Sequence, residues 1–152
     1  MKQFFTLTIL LIGAILFFLL SCEKFYEVLD QKYDLGILLN HLWKLEKITD
    51  LKNETILTPD EKWEYSVVFY DNDSLKIVNA CNQGEGFFKI QDNNNIEISV
   101  SCTEMACDSH PIYLGYCDDM GFAYEYRVSS DKLYIYINKG GRKYILIHRL
   151  VK

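Results

Sequence analysis

Apolar and polar residues alternate along most of the chain after residue 41, and this period of two predicts β-strands. In LWKLEKI, Trp43 and Leu45 share one face, and in NIEISVS the residues Ile96, Ile98 and Val100 alternate with polar ones. Strict alternation is typical of antiparallel strands with one buried face. Strands are predicted at 42–48, 64–70, 74–81, 86–91, 95–101, 122–128, 132–138 and 143–150.

Short polar and glycine-containing stretches separate these strands. They are DNDS at 71–74, DNNN at 92–95, SSD at 129–131 and NKGG at 138–141. About eight short strands joined by such turns predict a mainly β fold, an antiparallel meander that forms a small barrel or roll. Residues 103–121 lack the period and are predicted to hold at most a short helix or a loop pinned by disulfides. Because a closed sheet pairs its strand edges, binding through side chains is expected.

The first residues follow a different pattern, MKQFFTLTILLIGAILFFLLSCEK. Lys2 is the only charge before Glu23, and the seventeen residues 4–20 are apolar apart from two threonines and a glycine. This pattern fits an export signal, and a short transmembrane anchor is the alternative. The run ends in LLSC, which resembles the bacterial lipobox. That resemblance implies cleavage before Cys22 and diacylation of its thiol.

Three segments are therefore predicted: a lipoprotein signal peptide at 1–21, a tether at 22–40 that could include a short helix, and a β domain at 41–152. Removing 21 of 152 residues leaves 131, and losing Lys2 moves the net charge from −5 to −6. An acidic domain argues against nucleic acid as a partner. The acyl chains on Cys22 would hold the protein to a membrane of the bacterial cell envelope. The outer membrane, on its periplasmic or surface face, is the expected one.

The predicted envelope location indicates which chemistry the cysteines are used for. Once Cys22 is acylated, four cysteines remain, and an even number in an oxidising compartment favours disulfides: Cys81, Cys102, Cys107 and Cys117. Their spacing leaves three pairings open. Zinc held by Cys102, Cys107, His110 and Cys117 is the alternative, but this stretch lacks a C-x₂-C knuckle. No metal or cofactor is expected.

Two motifs carry a family resemblance: ACNQGEGFF at 80–88 and TEMAC at 103–107. In this order and separation they resemble the META domain (HslJ-type) family, with a C-N-x-x-x-G-x-aromatic stretch followed by T-x-M-A-C. The likeness covers about 42–149, including the opening LWKLEKI and the closing hairpin. It implies a Cys81–Cys107 bond, which leaves Cys102–Cys117 as the second. Ala80 departs from the family's usual glycine, and DSHPIYLGYCDDMG replaces its acidic, leucine-rich helix.

No nucleophile elbow, zinc-protease or P-loop motif is present. The chain is therefore expected to be a non-enzymatic, membrane-anchored envelope lipoprotein with a META-like domain, acting as a binding or stress-tolerance module. The alternatives are a lipocalin-like carrier of a small apolar ligand and an inhibitor of a cell-wall hydrolase. The predicted contacts for an envelope protein or small ligand are Tyr113 and Tyr116, in loop 108–121. Asp118 and Asp119 are expected to be solvated.

Overall fold

The computed structural model describes residues 35–152, which form one antiparallel sheet with few helical residues. Its strands are β1 (Leu42–Asp50), β2 (Thr55–Leu57), β3 (Tyr65–Phe69), β4 (Ser74–Asn79), β5 (Asn82–Ile90), β6 (Ile96–Cys102), β7 (Ala123–Ser129), β8 (Lys132–Lys139) and β9 (Arg142–Leu150). The helical parts are residues 35–38, a 3-10 turn at Asp92–Asn94 and the helix α1 (Tyr116–Met120). The predicted mainly β fold with a short helix near 103–121 is confirmed.

Strand order makes the sheet a nearly closed barrel. The order is β6-β5-β4-β3-β1-β9-β8-β7, so chain neighbours pair within each half, from β3 to β6 and from β7 to β9, and β1 joins the two halves through β3 and β9. An isolated antiparallel bridge between Asn95 and Glu125 links the two ends, β6 and β7. The predicted eight-stranded meander is confirmed. The short β2 pairs with β1 beside this path and was not predicted.

The one strand whose start was misplaced is β5, which begins at Asn82 rather than near 86. Its glycines do not interrupt the strand, because they lie where β5 and β6 approach closely. A Cβ atom on Gly86 would lie 2.1 Å from the Ser99 carbonyl oxygen, and one on Gly84 would lie 2.3 Å from Cys102 Sγ. The sequence GEG therefore allows a close backbone approach within a continuous strand.

Large side chains fill the barrel interior. The bulkiest fully buried ones are Trp43, Tyr65, Tyr116, Tyr126, Phe69, Leu38, Leu75, Ile77, Ile96, Met120, Leu133 and Ile135. Each fully buried side chain of this kind contributes about 1.5–3 kcal/mol to the free energy of unfolding. Trp43 Nε1 donates a hydrogen bond of 3.0 Å to the carbonyl of Leu38. The compact unit spans Gly36–Lys152, so the last residues of the predicted tether pack with the barrel.

One seam of the barrel stays open. Among residues 35–152, β6 and β7 are joined by the Asn95–Glu125 bridge alone. Beyond that bridge α1 packs against β6, and a disulfide joins Cys102 at the end of β6 to Cys117 in α1, with a Cα–Cα distance of 6.4 Å. The expectation that every strand edge would be paired is therefore wrong along this seam, because α1 packs against β6 there without forming strand pairs with it.

Candidate functional site

The two family-like motifs meet in one hydrogen-bonded unit. Asn82 Oδ1 accepts hydrogen bonds from the Met105 backbone N–H at 2.7 Å and from Thr103 Oγ1 at 3.1 Å. The Asn82 amide nitrogen donates to the Met105 carbonyl at 3.4 Å. Beside this contact the disulfide Cys81–Cys107 joins the same two segments, with a Cα–Cα distance of 5.6 Å. The buried asparagine therefore fixes the start of loop 103–115.

A second asparagine holds the other end of that loop. Asn79 Nδ2 donates to the Leu114 carbonyl at 3.0 Å, and the side chain is buried. The Asn79 Oδ1 atom is also buried, but it accepts no hydrogen bond from residues 35–152. Asn79 and Asn82 flank the β4–β5 turn, where Ala80 has a φ of +57°. One tight turn thus anchors the loop at both ends.

Both disulfides implied by the family resemblance are present, Cys81–Cys107 and Cys102–Cys117. They span sequence separations of 26 and 15 residues. Closing a loop of this size lowers the conformational entropy of the unfolded chain, which stabilises the folded protein by about 3–4 kcal/mol. The disulfide prediction is confirmed. Cys22 lies outside the described residues, so its lipidation stays a prediction.

The predicted binding residues, Tyr113 and Tyr116, are less exposed than a binding surface requires. Tyr116 is fully buried, and its hydroxyl lies 2.8 Å from His148 Nε2. Tyr113 is half-buried and donates a hydrogen bond to Asp119. Burial raises the pKa of both hydroxyls, and the bond to Asp119 raises that of Tyr113 further. Both rings face inward because α1 and the preceding loop cover the seam.

Asp119 is the centre of a buried polar cluster that the sequence interpretation missed. Its side chain is 7% exposed and accepts a hydrogen bond of 2.6 Å from Lys139 Nζ as well as the bond from Tyr113. Burial, followed by a hydrogen bond to Asp119, raises the pKa of Tyr144. The neighbouring Asp118 is 67% exposed and pairs with Lys139 at 2.5 Å. The expectation of solvated carboxylates therefore holds for Asp118 and is wrong for Asp119.

His148 is fully buried, and it lies opposite Leu45 and Leu133 on the neighbouring strands. Burial lowers the pKa of His148 to about 4, although hydrogen bonds to backbone carbonyls oppose the shift. Its Nδ1 lies 3.4 Å from the Leu133 carbonyl oxygen. That carbonyl can only accept, so Nδ1 carries the proton and Nε2 accepts from Tyr116. The imidazole is thus neutral and satisfied inside the barrel.

A groove runs along the open seam. It has a volume of about 910 Å³ and lies between β6, residues 103–106 and α1. Three of its apolar residues are well exposed: Met105 at 60%, Leu114 at 56% and Phe122 at 42%. The exposed acids Glu104 and Asp118 line it as well. It is therefore an apolar surface with an acidic border, held by two disulfides and two asparagines.

The described residues contain neither a metal-ligand cluster nor a membrane-spanning helix. In residues 35–152, no three His, Cys, Asp or Glu side chains are grouped closely enough to hold a metal ion. The same residues contain no helix with the length and apolar character needed to cross a membrane.

Comparison with known proteins identifies the fold alone. No family model matches the chain, and no curated protein matches it. The barrel is similar to the NMR structure of a protein from Burkholderia xenovorans, with a TM-score of 0.55 and 11% identity over 77% of this chain and 86% of that one. It is also similar to the crystal structure of a DUF4847 family protein from Bacteroides vulgatus, with a TM-score of 0.50 and 13% identity over 75% and 94% of the two chains.

Proposed function

We propose that the protein is a non-enzymatic envelope lipoprotein, anchored to a membrane through acylated Cys22, and that it acts through the outer surface of a META-like barrel. The observation that carries this proposal is the filled interior. Trp43, Tyr65 and Tyr116 are among twelve large side chains that are fully buried there. A carrier barrel needs that space for its ligand. The filled interior therefore favours a function carried out at the outer surface over transport of a small apolar ligand.

The META-like assignment is supported by the way the two motifs meet. Asn82, from the first motif, binds Thr103 and Met105 of the second through its side-chain amide. The same motifs supply the disulfide Cys81–Cys107. Residues that combine in one hydrogen-bonded unit give a physical reason for the motifs to occur together.

An inhibitor of a cell-wall hydrolase is the second candidate, and one observation favours it. Loop 103–115 is held at both ends by Asn79 and Asn82, and it exposes Ile112 at 66% and Leu114 at 56%. A pre-ordered apolar loop can bind an enzyme cleft without a large loss of conformational entropy.

Labelling of cells with palmitate tests the anchored location. Wild-type protein is expected to incorporate the label and to fractionate with membranes, because LLSC precedes Cys22. The Cys22→Ser variant is expected to lose the label and to accumulate as precursor. Globomycin blocks cleavage rather than acylation, so wild type treated with it is expected to accumulate as labelled precursor. Cys81→Ser is the matched control and should keep the label. If Cys22→Ser is labelled and cleaved like wild type, the proposed anchor is wrong.

A further inference from the structure

We propose that the seam groove binds an extended peptide segment with alternating apolar and basic side chains, which pairs with the free backbone edge of β6. This inference rests on the proposed function, because it names the part of the outer surface that acts. The groove is the surface defined above by β6, residues 103–106 and α1. Its backbone edge, apolar residues and charge each point to this occupant.

The free edge is assigned from the hydrogen bonds around it. The Phe88 N–H donates to Asp73, away from β6, so the Phe88–Ile98 pair does not exchange backbone bonds. At the other end of β6, the Thr103 N–H donates to the Gln83 carbonyl of β5. Thr103 is an odd number of residues from Ile98, so the two residues direct their backbone groups to opposite sides of the strand. In antiparallel pairs the two kinds of pair alternate. The backbone N–H and C=O groups of Ile98 and Val100 therefore point into the seam.

No backbone group pairs with these positions in the described chain. Within residues 35–152, no backbone hydrogen bond joins Ile98 or Val100 to α1 or β7. A row of unpaired strand groups is a ready template for an added strand. The residue Asn79 lines the same groove, and its buried Oδ1 atom has no hydrogen-bond donor among residues 35–152.

The side chains around the edge specify what the peptide must carry. Met105, Leu114 and Phe122 are exposed apolar residues that line the groove and would bury every second side chain of an added strand. Glu104 supplies negative charge at the same surface, in a chain whose net charge is −5, while the second carboxylate there, Asp118, is already paired with Lys139. Lysine or arginine at the remaining positions complements that charge. The occupant is thus an extended, basic and apolar peptide.

The test uses a Lys-Val-Lys-Val-Lys-amide peptide that carries carboxyfluorescein on its N-terminus, titrated with the full-length protein in detergent at concentrations up to about 1 mM. Binding is expected by fluorescence anisotropy. The matched peptide with glutamate in place of lysine is expected to bind at least about tenfold more weakly. Two further peptides are N-methylated, one at the valines and one at the lysines. Only alternate N–H groups can face β6, so one methylation pattern should abolish binding and the other should retain it.

Two protein variants locate the site. Leu114→Ser is expected to weaken binding of the lysine peptide about tenfold, because it removes an apolar contact in the groove. Ile112→Ser is the matched control, since Ile112 is exposed in the same loop but does not line the groove, and it should bind like wild type. Circular dichroism should show both variants folded. Peptide binding should also slow hydrogen exchange at the amides of Ile98 and Val100.

The proposal is overturned if the lysine peptide does not bind, if both methylated peptides behave alike, or if the two serine variants lose binding equally. Any of these results leaves the anchored, outer-surface function standing, because palmitate labelling of Cys22 tests that separately. Loss of labelling in wild type, with peptide binding intact, would reject the anchor and keep the groove.

Discussion

The Tyr116 hydroxyl donates a hydrogen bond of 2.8 Å to Nε2 of His148, and both side chains are fully buried. The pair joins α1 to β9 through the barrel interior. It makes the stability of the fold depend on an unprotonated imidazole.

Acid is therefore expected to destabilise the barrel through His148. Its pKa is about 4 in the folded protein and about 6.5 in the unfolded chain. The unfolded state binds the proton first, so stability is full above pH 6.5 and is lost as the pH falls towards 4. The difference corresponds to about 3 kcal/mol. Urea unfolding followed by tryptophan fluorescence at pH 7, 5.5 and 4 measures it.

The His148→Gln variant separates this effect from the titration of carboxylates. It is expected to be less stable than wild type at pH 7 but to lose less stability between pH 7 and 4. Tyr116→Phe keeps the imidazole and should keep the acid dependence. If wild type and His148→Gln lose equal stability over that range, His148 is not the group responsible.

Adjacent aspartates should differ sharply in their effect on stability. Asp119→Ala leaves Lys139 and the Tyr113 hydroxyl without their buried acceptor and is expected to cost about 3 kcal/mol. Asp118→Ala removes an exposed ion pair and should cost less than about 1 kcal/mol. Thermal or urea unfolding of both variants makes the comparison. Equal effects would contradict the assignment of Asp119 as the buried centre of the cluster.

The β4–β5 turn offers a stabilising substitution. Ala80 has a φ of +57°, a region that costs a residue with a Cβ about 1 kcal/mol. Ala80→Gly is expected to raise the free energy of unfolding by less than that amount, because the added flexibility of the unfolded chain offsets part of the gain. The reverse change, Gly140→Ala, occurs at a φ of +58° with open space around the new Cβ, and it should lower stability by a similar amount. Opposite signs for these two variants are the expected result.

The close approach of β5 and β6 predicts a strong steric effect. Gly86→Ala would place a Cβ 2.1 Å from the Ser99 carbonyl oxygen, so the strands must separate. Such overpacking costs about 1–3 kcal/mol. Gly36→Ala, where the new Cβ meets nothing within 4 Å, is the control and should not destabilise the protein. Unfolding midpoints in urea decide the matter, and a Gly86→Ala variant as stable as wild type would reject the close packing.

Much of the fold could be predicted because each strand carries its own period. The alternation of Ile96 and Ile98 reports one buried face, and turn residues mark the ends. The start of β5 was misplaced because Gly84 and Gly86 carry no side chain, and only the neighbouring β6 explains them. Three-residue β2 is too short to show a period.

The site could be predicted less well, because it depends on contacts between distant segments. The pairing of Cys81 with Cys107 came from a family resemblance, since spacing alone leaves three pairings. Asp119 and Tyr116 lie in a loop without a period, so nothing local distinguishes them from the exposed Asp118. The open seam is a property of strand order and of α1, and no single segment encodes it.

Native mass spectrometry of the protein extracted from the envelope tests the central claim most directly. The account predicts a chain that begins at an acylated Cys22, is 131 residues long, has lost four hydrogens to two disulfides, and carries no small molecule in its interior. A chain that begins at Met1, or a small ligand that is retained until the barrel unfolds, would contradict an anchored module that acts through its outer surface.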